Sequence, residues 1–420
     1  MILILAKILV PFLIIFNIIP VLIWLERKGS AYIQDRRGPN RASLFGVIRL
    51  GGMIHSLADV VKLLMKEDII PTKANKFFYI LAPFTAMTVA CMTFAVIPFA
   101  APIVWDGIVI TFQTADINAG ILYILAISSL GVFGIMLAGW SSNNKYTLLG
   151  GLRSSAQMIS YEIVMSLAII SVLMMVGSLE ISKIVEDQSP NMLHWNFVRQ
   201  PIACLLFIVA MFAETNRLPF DLPEGESEIV AGYHLEYSSL KFALFFMAEY
   251  ANMIIASAVI SSLFFGGWQI PFLSTEFLRA NSSEALKIVL AFLAVGHLAA
   301  GLLMLKVGRK NVKVKKWGDR RDYEGLILGT GAIGAAFALV GALIFLWPMV
   351  LSGNASMIVT AVLQVACFLT KVLFFCWVFI WVRWTLPRFR YDQLMKLGWK
   401  YMMPVSLANI FITGSVMLIR

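Results

Sequence analysis

The sequence is poor in charge. Asp, Glu, Lys and Arg make up 14% of its 420 residues, against about 25% in an ordinary soluble domain. It is also poor in cysteine: Cys91, Cys204, Cys367 and Cys376 all lie in apolar runs, and none forms a C-x-x-C pair. There is therefore no sequence case for a disulfide, a zinc site or an iron–sulfur cluster. The four histidines, His55, His194, His234 and His297, do not pair across apolar runs at one depth, as a bis-histidine haem would require. The sequence is read as having no phosphate loop and no G-x-G-x-x-G fingerprint, so no NADH site is expected in it. Tandem repeats and low-complexity segments are lacking as well. What is abundant is apolar surface: 60% of residues are hydrophobic and the mean hydropathy is +0.82. A soluble chain of this size cannot bury that much. The composition identifies an all-α polytopic membrane protein.

Apolar runs fall at about 3–25, 78–103, 118–140, 156–177, 201–213, 242–266, 286–305, 326–351, 357–382 and 401–419, and a spanning helix needs about 20 apolar residues. This predicts about ten transmembrane helices in one transmembrane domain, 1–420. The fifth run is short, and its helix is expected to continue through Glu214 into the polar loop beyond. The first run is too long, and lacks the small-residue cleavage site, for a removable signal peptide. Between the first two runs, residues 42–70 carry apolar residues at helical spacing with Asp59, Lys62, Lys66, Glu67 and Asp68 among them. They read as an amphipathic surface helix ending before Pro71. Twenty-seven of the 34 Lys and Arg fall in alternate loops, 26–76, 141–155, 214–241, 306–325 and 382–400. Positive-inside bias puts those loops inside and both termini outside. It also accounts for the +10 net charge without nucleic acid.

Two inside loops are more than connectors. The first runs Glu26-Arg27-Lys28 to Gln34-Asp35-Arg36-Arg37-Gly38-Pro39-Asn40-Arg41. The second runs Glu214-Thr-Asn-Arg217-Leu-Pro219-Phe220-Asp221-Leu-Pro223-Glu224-Gly225-Glu226-Ser227-Glu228 and carries six carboxylates over 214–240 against Arg217 alone. As bland readings, the first is a positive-inside anchor and the second a solvated acidic loop. The interleaved Pro, Phe and Gly of the second point rather to a packed, shaped segment. Both loops resemble the signature segments of the H-type membrane subunit (subunit 1 in mitochondria) of respiratory complex I, the proton-pumping NADH–quinone oxidoreductase. Further matches are Ala58-Asp59 to Asp68, Phe245 to Glu249-Tyr250-Ala-Asn252, and Thr385-Leu-Pro387-Arg388-Phe389-Arg390-Tyr391-Asp392-Gln393. The order agrees, and the likeness runs from about residue 10 to the end. Two departures stand out. Residues 42–57 look several residues longer than the common form. Residues 274–356 form an inserted two-helix hairpin, with a basic loop, where the family has a brief link; its Gly329, Gly331 and Gly334 suit close packing against another helix. Eight family helices plus this hairpin make the ten.

The resemblance implies a fold and an activity: the membrane component of a quinone oxidoreductase that forms much of the quinone-access tunnel and begins a proton path. It implies a quinone-access segment at 26–76 and an acidic cytoplasmic loop at 214–240. On this reading the quinone path uses Glu26, Arg27, Gln34, Arg36, Arg37, Arg41, Asp59 and Lys62. The arginines do not titrate and supply a positive field where reduction would develop negative charge; pairing with Glu or lipid phosphate is the bland alternative for each. The proton path uses Glu162, Glu214, Arg217, Asp221, Glu224, Glu226, Glu228 and Glu249. Glu162 lies nine residues from Arg153 and Glu249 eight from Lys241, about 13 and 12 Å into their helices. Carboxylates at such depth are costly to ionise and can exchange protons, or they are neutral, hydrogen-bonded structural groups. Lys371 serves a polar axis or pairs with a buried carboxylate. Arg388, Arg390 and Asp392 are candidates for docking.

Quinone, ubiquinone or menaquinone, is the implied substrate, with no metal, haem or flavin bound in this chain. Electrons must then come from hydrophilic partner subunits carrying iron–sulfur clusters on the cytoplasmic face. Antiporter-like and small membrane subunits and lipid are the other implied partners. The expected location is a bacterial plasma membrane, with the mitochondrial inner membrane as the alternative. A related membrane component of an energy-converting hydrogenase or formate hydrogenlyase is the competing reading within the superfamily. A stand-alone secondary ion transporter is the reading outside it, though no inverted repeat supports that.

Overall fold

A computed structural model describes residues 2–105, 107–189, 191–222, 232–315, 318–349 and 351–419. Its elements are α1 (Ile2–Ile33), α2 (Ile54–Met65), α3 (Lys76–Thr93), β1 (Ile103–Trp105), β2 (Ile108–Ile110), α4 (Gly120–Ser141), α5 (Lys145–Val176), α6 (Ile181–Asp187), α7 (Asn196–Arg199), α8 (Pro201–Glu214), α9 (Ser239–Phe264), α10 (Thr275–Ala280), α11 (Ser282–Val314), α12 (Glu324–Leu346), α13 (Asn354–Thr385), α14 (Tyr391–Lys396) and α15 (Met403–Ile419). Among the described residues nine helical segments are long and apolar enough to cross a membrane, and α8 is a shorter apolar helix. These ten fall on the ten apolar runs. The only sheet among the described residues is the antiparallel pair β1–β2, with Val104 opposite Val109.

The core lies where α5, α8 and α9 meet, with α13 and α15 against them. The α9 helix is buried on most of its surface, and Phe207, Tyr250, Phe264 and Trp268 fill the space around it. The outward faces of α1, α11 and α12 expose Leu, Ile, Val and Phe, as a helix flanked by lipid does.

Three expectations are corrected. The amphipathic helix covers 54–65, not 42–70. The chain before it makes a short bridge between Leu44 and Ile48 and a turn at 50–52; the chain after it is extended, held by Ser239 Oγ on the Leu63 and Lys66 carbonyls. Next, α8 stops at Glu214. Asn216 takes a left-handed φ of 51°, and the Gln157 amide of α5 donates to the carbonyls of Ala213 (2.8 Å) and Phe220 (2.9 Å). A helix cannot continue through that turn. Fourteen residues make about 21 Å, short of the roughly 30 Å hydrocarbon core. Residues 215–222 complete the distance as a buried loop, which is where irregular backbone is tolerated at membrane depth.

The third correction concerns the hairpin. Its two helices pack tightly on each other, but Gly331 and Gly334 face open space. The close approach is made by Gly301, Gly308, Gly325 and Gly329: a Cβ on Gly308 would lie 2.6 Å from Leu326 N, and one on Gly325 2.7 Å from Gly308 Cα. A G-x-G-x-x-G spacing, read as absent from the sequence, does occur as Gly329-Thr-Gly331-Ala-Ile-Gly334, but it lies inside α12 with no strand before it, and of its glycines only Gly329 meets α11. The hairpin leans on α13. At its inner end Glu324 accepts from the backbone N–H of Arg49 and Leu50, both at 2.7 Å, and pairs with the Arg49 guanidinium at 2.6 Å. The two segments that the sequence sets apart, 42–57 and the hairpin, are thus bonded to each other.

Candidate functional site

The buried loop 215–222 carries Arg217 into the protein with 1% of it exposed. Its guanidinium pairs with Glu26 of α1 at 2.8 Å and with Glu249 of α9 at 2.6 Å. Arg383, near the inner end of α13, pairs with Glu26 at 2.8 Å and stands 3.9 Å from Glu249. The Tyr250 hydroxyl donates to Glu26 at 2.9 Å, and its ring lies 4.3 Å from the Arg217 guanidinium carbon. Two cations and two carboxylates balance, all buried. Neither carboxylate would ionise alone at this depth; together the four form a closed network linking α1, α9, α13 and the loop. The sequence pattern separates Glu26 from Glu249, and the structure brings them together. It also shows Arg383 and Tyr250, which sequence reasoning missed. Their signal was present: Arg383 is an arginine on the rim of an apolar run, and Tyr250 adjoins Glu249.

Glu162 of α5 and Glu214 of α8 form a second, different pair. Glu162 accepts from the Ser129 hydroxyl of α4. The Glu162 carboxylate lies within electrostatic reach of Glu214, and Glu214 Oε2 is buried with no hydrogen-bond partner among the described residues. A cavity of about 80 Å³ lies between α3, α4, α5, α8 and α9, enough for several waters. Its wall includes Glu214, Thr215, Asn216, Glu249 and Asn252, and on α9 it extends from Phe245 to Val259, about 21 Å of helix. Glu214 and Glu249 therefore face one cavity, the first beside another carboxylate and the second tied to arginine.

The first loop is more open. Arg27 pairs with Asp59, and Asp59 with Lys62 at 3.6 Å, so α1 and α2 are cross-linked by charge. Arg36 donates to Gln34 at 2.7 Å; Arg36, Arg37 and Arg41 are exposed. Leu57, Val60, Val61 and Leu64 make an exposed apolar face on α2, and Ser56 on the other side bonds to Pro20 O. Of the docking candidates, Arg388 is committed internally, pairing with Asp221 at 2.8 Å, while the adjacent Phe389 N–H bonds Pro219 O. Arg390 and Asp392 pair with each other on the surface. Glu224, Glu226 and Glu228 lie outside the described residues. Lys371 pairs with no carboxylate among the described residues. It donates to the carbonyls of Phe265, Gly267 and Gln269 at 2.7–2.9 Å and lies over the Trp195 ring, capping the outer end of α9.

Comparison with known proteins gives a consistent family. The NADH dehydrogenase family profile matches residues 6–312 and 317–414, running through both hairpin helices. The chain is 45% identical to the H 1 subunit of NADH-quinone oxidoreductase from Solibacter usitatus, over 98% of this chain and 95% of that one. It is 44% identical to NADH-quinone oxidoreductase subunit 8 of Rhodothermus marinus, over 96% and 95%. It is 40% identical to the H subunit of NADH-quinone oxidoreductase from Bdellovibrio bacteriovorus, over 98% and 95%. With the fold, the buried acidic loop and these relatives in agreement, the chain belongs to the NADH dehydrogenase family, among the H subunits of NADH–quinone oxidoreductase.

Proposed function

We propose that this membrane subunit of NADH–quinone oxidoreductase forms the access path for quinone and couples quinone reduction to proton movement through its buried carboxylates. The observation that carries the coupling half is the cavity shared by Glu214 and Glu249. Glu249 is held by arginine, whereas Glu214, beside Glu162, has a buried oxygen with no partner among the described residues. The cavity is large enough for a short chain of waters, which on this reading links Glu214 to Glu249. Two electrons and two protons convert quinone to quinol. Any change of charge near the first loop reaches Glu249 through Glu26 and Arg217, which touch both regions.

For the access half, α2 presents an apolar face at the depth where a quinone tail leaves the bilayer. Arg27, Arg36, Arg41, Asp59 and Lys62 supply polar and charged groups at its rim, and Gln34 orients Arg36. Electrons come from hydrophilic subunits bearing iron–sulfur clusters. These dock on the face that carries Arg390, Asp392 and the acidic loop, on the cytoplasmic side by positive-inside bias. Asp221 and Arg388 shape that face rather than contact the partner. Antiporter-like and small membrane subunits flank the spans. The bacterial relatives support a bacterial plasma membrane as the location, and their names favour the quinone enzyme over a hydrogenase.

The test is Glu214→Gln with Glu162→Gln in the assembled complex. Gln keeps shape and hydrogen bonding but does not titrate. Proton pumping, followed by dye quenching in vesicles, should fall at least about tenfold, while NADH oxidation by ferricyanide stays intact. Normal pumping and turnover in the double variant would remove the carboxylate route.

A further inference from the structure

A groove of about 570 Å³ runs between the first span and the hairpin, separate from the Glu214–Glu249 cavity. One side is α1 with Trp24, Lys28 and Tyr32; the other is Leu303, Met304 and Val307 of α11 with Leu328 of α12. The Arg49–Glu324 bond bridges its two walls at the inner end. The helices stand apart here because the hairpin rests on α13 and meets the first-span region through Arg49.

The charges on this groove do not cancel. Its charged lining is Lys28, Arg37, Arg49 and Glu324, and Glu324 is consumed by Arg49. Lys28 is 7% exposed, with its ammonium on the Arg37 carbonyl at 2.8 Å and 5.9 Å from the Tyr32 ring centre. Neither of these partners carries negative charge. Arg37 is an exposed guanidinium on the same wall. Among the described residues, two cations without a counter-charge therefore sit at the inner mouth of a slot whose deeper walls are apolar.

We propose that this groove binds an anionic phospholipid of the inner leaflet, its phosphate on Lys28 and Arg37 and an acyl chain along Leu303, Val307 and Leu328. Basic pockets between spanning helices on the cytoplasmic side recognise anionic headgroups in this way. A neutral quinone ring would leave both cations unanswered, which is why the lipid is the favoured occupant. The hairpin and the lengthened 42–53 segment then have a joint purpose: neither makes the groove alone, and Arg49–Glu324 holds its two walls at a fixed spacing.

The test uses the purified complex in vesicles containing about one fifth phosphatidylglycerol or phosphatidylcholine, each with a photoactivatable acyl chain. Labelled positions are mapped by mass spectrometry. Labelling at Leu303, Met304, Val307 and Leu328 should be about 25-fold greater from phosphatidylglycerol, since each of the two cations contributes about fivefold in affinity. Lys28→Gln should reduce that preference about fivefold and Lys28→Gln with Arg37→Gln should abolish it, whereas Lys313→Gln, outside the groove, should leave it unchanged. A short-chain phosphatidylglycerol should compete in the unaltered complex, which tests the site without any variant. Equal labelling by the two lipids, a preference that survives the double variant, or competition by short-chain quinone but not by short-chain phosphatidylglycerol would each overturn the proposal.

Discussion

The two carboxylate pairs of this bundle share residue type, and each lends one member, Glu214 or Glu249, to a common cavity, yet they differ in company. Glu26 and Glu249 share Arg217 and Arg383, so four charges cancel and the network is locked. Glu162 and Glu214 have a serine hydroxyl and each other. Burial alone therefore does not tell a proton carrier from a structural charge: what matters is whether a cation is within reach. The locked pair sets the architecture by tying α1, α9 and α13 to the acidic loop. The proposed proton route runs through the unlocked pair, whose members hold no part of this architecture.

The largest effect should come from breaking the locked pair. Arg217→Met leaves two buried carboxylates facing Arg383 alone, which should cost about 3–5 kcal/mol. The amount of assembled complex on native gels should drop severely, and adding Glu249→Gln should recover part of it by restoring balance. Unchanged assembly in Arg217→Met would mean that the network is ornamental. In the unlocked pair the sign reverses. Glu214→Gln replaces a buried carboxylate that has an unanswered oxygen, so the stability of the complex, followed through its thermal midpoint, should stay level or rise by at most about 1 kcal/mol. A clear loss of stability would show that the pair is structural after all. The smallest effect belongs to the surface: Arg36→Ala should lower quinone reductase activity about two- to fivefold, the scale of an exposed charge, with ferricyanide reduction intact. If both activities fell together, the defect would lie in assembly.

The sequence carried much of this and missed particular things for identifiable reasons. Hydropathy located every long helix because length and apolarity decide a span locally. The helix end at Glu214 was not visible, since it depends on Gln157 reaching from α5 to the carbonyls of Ala213 and Phe220. The acidic and basic loops stood out by composition, but the Arg388–Asp221 bond that joins them connects residues 167 apart. Glu249 was legible as a buried carboxylate, whereas its partners Glu26, Arg217 and Arg383 come from three other parts of the chain. On the hairpin, glycine content predicted close packing. The face that packs depended on the register of α11 against α12, which Gly308 and Gly325 set.

The shortness of α8 has an electrical consequence. A helix of about 21 Å followed by a buried polar loop brings charged groups well inside the low-dielectric slab, with Glu249 ten residues, or about 15 Å, into α9 from its inner end. Part of the membrane voltage then falls outside these groups and part across the remaining apolar half. On the proposed route, a proton that reaches Glu214 from the inner side does only a fraction of the work of a full crossing, which is about 2.3 kcal/mol per 100 mV. The rest of that work is left to whatever carries the proton onward from the cavity.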